Sequence, residues 1–229
     1  MFKSTQDTPT FFASSDEGDL LFIDWSIKPV GDENKIAENV RIQRDSERNY
    51  RPVLALERSP FYEDLVMTIH DFHFAIWKTS IESQELPIYR SAMTQNSHNT
   101  CGAFSPSRPG VIFVTRVDGI DVWDFLDQSN KPSITISTSS PITYFRFQVL
   151  KDKEKSKKKP KQYMAYGDQL DGTLFLYEVP ANLAHAQDDE ENAIADFWDT
   201  EMRKCDFVRE RRVQMKEDFQ AEELRKQIE

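Results

Sequence analysis

The one pair of histidines at ligand-like spacing in this 229-residue chain is His70 and His73, which stand three positions apart around Asp71 and Phe72. Two imidazoles at that spacing hold zinc only with a third and a fourth ligand close by. Here they flank a turn within a strand pattern, so the spacing predicts a hairpin that needs Asp71 rather than a metal centre. Cys101 and Cys205 lie in segments of different character with no Cys/His cluster around either. That usage fits a reducing compartment and inert thiols. Neither a G-x-S-x-G elbow, a P-loop nor a G-x-G-x-x-G turn occurs. Carboxylates are abundant, but they sit in turns or in the C-terminal segment, where solvated charge is the expected reading. The residue types therefore predict no catalytic residue, no cofactor and no metal.

Charge excludes further classes. A formal net charge of -10 argues against a nucleic-acid binder, which needs a concentrated basic surface. One basic run stands apart: residues 151–161, KDKEKSKKKPK, hold seven lysines against Asp152 and Glu154. Lys155, Lys157, Lys158 and Lys159 are its candidate electrostatic contacts, to an acidic surface such as tubulin, or as a localisation signal; a solvated loop is the plainer reading. No stretch approaches the roughly 20 apolar residues of a membrane span. The opening MFKSTQDTPTFF lacks the apolar core and cleavage site of a secretory signal. A soluble, cytoplasmic protein is expected.

The elements that must position these residues come as a loose repeat. Four times a short apolar run is followed by an acidic turn and a second run ending in an aromatic residue. The units are TFFASS–DEGD–LLFIDWS, DLVMTI–HDF–HFAIWK, GVIFVTR–VDG–IDVWD and QYMAYG–DQLDG–TLFLYEV. Their landmarks, Trp25, Trp77, Trp123 and Tyr177, are 52, 46 and 54 residues apart, somewhat longer than the WD-repeat period of about 40–45. With only seven glycines, Asp carries part of the turn chemistry, and Asp118-Gly119 and Asp171-Gly172 are read as turns that need positive φ. VLALERS, TCGAFS and ITYFRF read as inner strands, and LPIYRS and SITIST as outer ones.

The pattern predicts an all-β fold of WD-repeat β-propeller blades, about three and a half of them, followed by a C-terminal α-helix. Its parts are a partial blade over 1–27, a polar loop over 28–50, and blades over 51–95, 96–139 and 140–182, the last holding the Lys-rich loop. A closed seven-blade propeller needs about 300 residues. This chain is thus read as an incomplete propeller, a fragment or short isoform, with exposed sheet edges and weak stability in isolation. Within the blades Asp71 and Trp77, and Thr115, Asp118 and Trp123, are candidates for the hydrogen-bond network that pins WD blades, with Thr115 expected to reach Trp123.

From about residue 187 the composition changes to helix formers without Gly or Pro. Four carboxylates, Asp188 to Glu191, open the segment, as a helix N-terminus favours. Ile194, Trp198, Cys205, Val208, Met215 and Phe219 recur at helical spacing, interrupted by Glu201 and Arg212. The tail over 187–229 is therefore amphipathic, and its stripe either packs back on the blades or docks a partner helix. Phe197, Trp198, Met202 and Val208 are the candidate partner-binding residues, with the two aromatics expected to be exposed anchors.

Three segments resemble the last repeats of dynein intermediate chains: RSPFYEDLVMTIHDFHFAIWK (58–78), SPSRPGVIFVTRVDGIDVWDFLDQSNKPS (105–133) and GDQLDGTLFLYEVP (167–180). The second is the most specific, because SPSRPGV followed by a DG turn and a WD dipeptide is much rarer than WD alone. The long insertions and the FWDTEMRKCDFVRERR tail look most like the axonemal, inner-arm group. The resemblance implies a non-catalytic subunit whose propeller binds a dynein heavy chain, alongside other intermediate and light chains, in the cytoplasm and the axoneme of cilia. In such proteins light chains bind an N-terminal extension that this sequence does not show. A generic WD-repeat adaptor joining cytoplasmic partners is the alternative reading.

Overall fold

Among the described residues, the two middle repeats form four-stranded sheets and the two flanking repeats form sheets of three strands. The structure is a computed structural model that describes residues 10–24, 40–43, 51–80, 86–94, 97–150 and 161–228. Within them the first sheet joins β1 (Thr10–Ser14), β2 (Leu20–Asp24) and β3 (Val40–Gln43). The second joins β4 (Val53–Arg58), β5 (Leu65–His70), β6 (Phe74–Lys78) and β7 (Tyr89–Arg90), and the third β8 (Asn99–Phe104), β9 (Val111–Arg116), β10 (Gly119–Asp124) and β11 (Ile134–Ser137). The fourth joins β12 (Ile142–Leu150), β13 (Lys161–Asp168) and β14 (Leu174–Glu178). All pairings are antiparallel and sequential. Strands β1, β4, β8 and β12 lie along one side in succession, giving an open arc of blades.

The inner strands of the second and third sheets are apolar almost throughout because both faces of these two sheets are covered by a neighbouring sheet. Every residue of β5 is buried. Alternate side chains go opposite ways, as the two-residue period of a strand dictates. Leu65, Met67 and Ile69 join Ile112, Val114 and Trp123 between the second and third sheets. Val66, with Ala75 and Trp77, meets Leu20 between the first and second. Phe113, Ile120 and Val122 turn toward Phe145, Met164 and Tyr166 of the fourth sheet.

Several expectations are corrected in detail. The polar stretch 28–50 contributes a strand, because Val40–Gln43 pairs along β2 from Ile23 to Leu20. Lys161 belongs to β13, not to the preceding loop. The turn before Gly119 forms without positive φ: among the described residues Asp189 is the one non-glycine with it, and the positive-φ glycines are Gly18 and Gly172. A side chain at Gly119 would instead overlap the Ile136 carbonyl of the neighbouring strand. Trp25, Lys155, Lys157, Lys158 and Lys159 lie outside the described residues.

After β14, Pro180 leads into a single-turn helix, α1 (Ala181–Ala184), and then into the 39-residue α2 (Glu190–Ile228). No helix among the described residues is long and apolar enough to cross a membrane.

Candidate functional site

The blade-pinning network forms in the second sheet. Trp77 Nε1 donates to Thr68 Oγ1 at 3.0 Å, Thr68 Oγ1 lies 3.1 Å from His70 Nε2, and His70 Nδ1 lies 3.0 Å from the Arg51 carbonyl. Register permits this: Thr68 pairs with Ala75 and Val66 with Trp77, so Thr68 and Trp77 share a face. In the third sheet Thr115 pairs with Ile120 and Trp123 with Ile112, which puts Thr115 and Trp123 on opposite faces. The expected Thr115–Trp123 link is therefore absent, and Thr115 Oγ1 donates to the Cys101 carbonyl at 3.1 Å instead. Asp118 accepts a hydrogen bond from Ser97 Oγ and stands 3.5 Å from Arg116 Nε.

Asp71 and the two histidines do structural work at the hairpin. His70 N donates to the His73 carbonyl at 2.8 Å, closing the two-residue turn. The Asp71 carboxylate takes a fork from Arg51 at 3.2 and 3.0 Å, and its carbonyl accepts from Asn99 N at 2.7 Å, tying the turn to the third sheet. The two imidazoles stack at 4.3 Å between centroids. Burial, with His70 and Arg51 close by, pulls the His73 pKa down to about 3, so this ring stays neutral.

The most heavily engineered contact joins the SPSRPG loop to the tail. Arg108, 2% exposed, donates through Nε to both oxygens of Glu190, at 3.0 and 2.9 Å. Its Nη1 donates to the Asn182 carbonyl at 3.0 Å, and its Nη2 stands 2.9 Å from Asp124 Oδ2. Glu190 also accepts from Gln187 N at 2.9 Å and Gly110 N at 3.4 Å. Taking two charges out of water is costly unless partners compensate them. Here Nε and Nη1 of a planar guanidinium donate to Glu190 and to the Asn182 carbonyl, while Nη2 is met by the Asp124 charge without a hydrogen bond. Ser105 Oγ, accepting from Arg108 N at 3.2 Å, shapes the loop that presents the arginine.

Beyond Glu190 the helix lies on the second and third sheets. Ile194 sits over Gly110, where a β-carbon would come within 2.5 Å of Ile194 Cδ1. Trp198, 3% exposed, meets the edge of Phe125 at 4.9 Å between centroids, with Phe197 stacked on the same ring at 5.4 Å. Met202 packs against the same cluster. Tyr62 Oη donates to the Glu191 carbonyl at 2.8 Å, Lys78 Nζ pairs with Asp199 at 3.1 Å, and Cys205 Sγ lies 3.4 Å from the Pro87 carbonyl. Burial and the carboxylates of Glu191 and Glu190 push the Tyr62 hydroxyl up to about 12, so it remains a donor.

This corrects the expectation of free aromatic anchors. Phe197, Trp198 and Met202 seat the tail on its own blades, and the helix leaves them near Val208, which is 38% exposed. No local pattern in the sequence pairs Arg108 with Glu190. The rare SPSRPG segment and the acidic start of the tail are the signals that bear on this latch.

Comparison with known proteins gives concordant matches. The family model described as "Dynein axonemal intermediate chain 3 WD40 domain" matches residues 1–179. The chain is similar to dynein axonemal intermediate chain 3 of Macaca fascicularis, 28% identical over 95% of this chain and 24% of that protein. It is similar to dynein axonemal intermediate chain 2 of Homo sapiens, 30% identical over 76% of this chain and 27% of that protein. The chain thus spans about a quarter of the length of the curated relatives it matches. Among solved structures, Saccharomyces cerevisiae Sqt1 superposes with a TM-score of 0.50 and 12% identity, over 75% of this chain and 41% of that one, a likeness of fold alone.

Proposed function

This chain belongs to the family described as the dynein axonemal intermediate chain 3 WD40 domain, and from that premise we propose that it is a non-catalytic intermediate-chain subunit of an axonemal, inner-arm dynein. In this reading the blades scaffold heavy-chain binding and motor assembly for ciliary motility, together with other intermediate and light chains. The family match across 1–179, which spans the four sheets, carries the proposal. The buried latch between Arg108 and Glu190 supports it, because a scaffold needs its projecting helix held at a fixed angle.

Co-purification of the tagged 229-residue chain from ciliated cells tests the role. Recovery of dynein heavy chain with other intermediate and light chains is the expected result. Recovery of unrelated cytoplasmic partners without dynein chains would leave the generic adaptor reading. The Lys-rich run adds a contact to an acidic axonemal surface. Replacing Lys155, Lys157, Lys158 and Lys159 by Gln is expected to weaken microtubule binding at low salt, and unchanged binding would remove this part of the proposal.

A further inference from the structure

We infer that the projecting half of α2 is one strand of a heterotypic two-helix coil, whose partner is an amphipathic helix of another polypeptide with carboxylates along the edges of its seam. The stripe that packs on the blades through Ile194, Trp198 and Cys205 continues past them as Val208, Arg212, Met215 and Phe219, at alternating spacings of three and four. Such spacing is that of a coiled-coil seam. Met215 and Phe219 are 60% and 62% exposed, so nothing in this chain's described residues covers the seam there.

The charges along its edges select the occupant. The positions flanking the seam on its two sides are Lys204 and Arg211 on one and Arg209 and Lys216 on the other, with Asp218 the single carboxylate among them. Residues 203–216 hold six Lys or Arg against two Asp or Glu, in a chain whose net charge is -10. Present partners of these cations are local: Lys204 pairs with Glu201, Arg209 with Asp206, and Arg211 bonds to Gln214. Exposed pairs one helical turn apart contribute little and are readily exchanged. A second copy in parallel would set Arg211 against Lys216 and Lys204 against Arg209. An antiparallel copy centred on this stretch would set Arg211 against Arg211. Like charges at those edges oppose pairing, whereas Glu or Asp there favours it.

The inference deepens the proposed scaffold role by giving the chemistry of one partner. Its test does not involve dynein chains, so either can fail alone. Two synthetic amphipathic helices with the same apolar seam, one flanked by glutamates and one by lysines, are titrated against the 229-residue protein at low salt. The glutamate helix is expected to bind about tenfold more tightly than the lysine helix, with the gap closing at high salt. The triple variant Arg209→Glu, Arg211→Glu, Lys216→Glu is expected to reverse that order, and Met215→Glu with Phe219→Glu to abolish binding, with an unchanged unfolding transition in each. Equal affinity for the two helices, or none for either, would overturn the inference. So would self-association of the wild-type chain, by sedimentation, that Phe219→Glu relieves.

Discussion

Helix α2 carries one apolar stripe and uses it in two ways. Over its first four turns Ile194, Trp198 and Cys205 lie against Gly110, Phe125 and the Pro87 carbonyl, and a buried Arg108 holds the end by Glu190. Over its later turns the same spacing presents Val208, Met215 and Phe219 to solvent. The period of a stripe sets which face of a helix is apolar. What covers that face is decided elsewhere in the chain, by a loop, a missing side chain and an opposing charge more than seventy positions away.

The largest break in this comparison comes from the latch. Arg108→Ala leaves Glu190 buried without its cation, and chemical denaturation is expected to show a loss of about 3–5 kcal/mol. Replacing both Arg108 and Glu190 by Met is expected to recover most of it, since a buried pair exchanged for apolar side chains is often near neutral. Next comes Trp198→Ala, expected to cost about 3 kcal/mol, the low end for such a truncation because Phe197 and Phe125 can close on the space. Thr68→Val keeps the shape but removes the bridge between Trp77 and His70, at an expected cost of about 2 kcal/mol. That loss should weaken the blades without selectively freeing the helix. Met215→Glu, on the projecting half, is expected to shift stability by no more than about 0.5 kcal/mol.

Acid sharpens the contrast from the blade side. His73 titrates near 3 when folded and near 6.5 when unfolded. The unfolded chain therefore binds the extra proton between those values. This contribution is fully present above pH 6.5 and is lost as the pH falls toward 3, by about 1.4 kcal/mol per pH unit. Denaturation midpoints measured across that window should fall more steeply for the wild type than for His73→Phe, which keeps the ring contact with His70 and cannot take a proton.

Much of the architecture was legible because hairpins write themselves locally. An apolar run, an acidic turn and a second run ending in Trp77 or Trp123 predict β5–β6 and β9–β10, and the loss of Gly and Pro after 187 predicts α2. Strand β3 was not legible, since VRIQ lies in a polar stretch and is a strand only by pairing with β2. The Thr115–Trp123 link failed on parity. The order of residue types matched the pattern of a pinned blade, but a shift of one position in the pair puts the two side chains on opposite faces. The latch was hidden for another reason: Arg108 and Glu190 are 82 residues apart, and no local signal tells a carboxylate destined for burial from its solvated neighbours. The stripe is legible but its two fates are not: spacing alone presents Phe197 and Trp198 as exposed anchors, whereas Phe125 stacks on one and meets the edge of the other.

Hydrogen exchange along α2 tests the central claim most directly. The wild-type chain is expected to protect amides from Ala193 to about Cys205 as strongly as those of β5 and β9, and to exchange faster from Phe207 onward. In Arg108→Ala the early protection should fall to the level of the projecting half while β5 stays protected. Equal protection along the whole wild-type helix, or early turns indifferent to the loss of Arg108, would contradict the account.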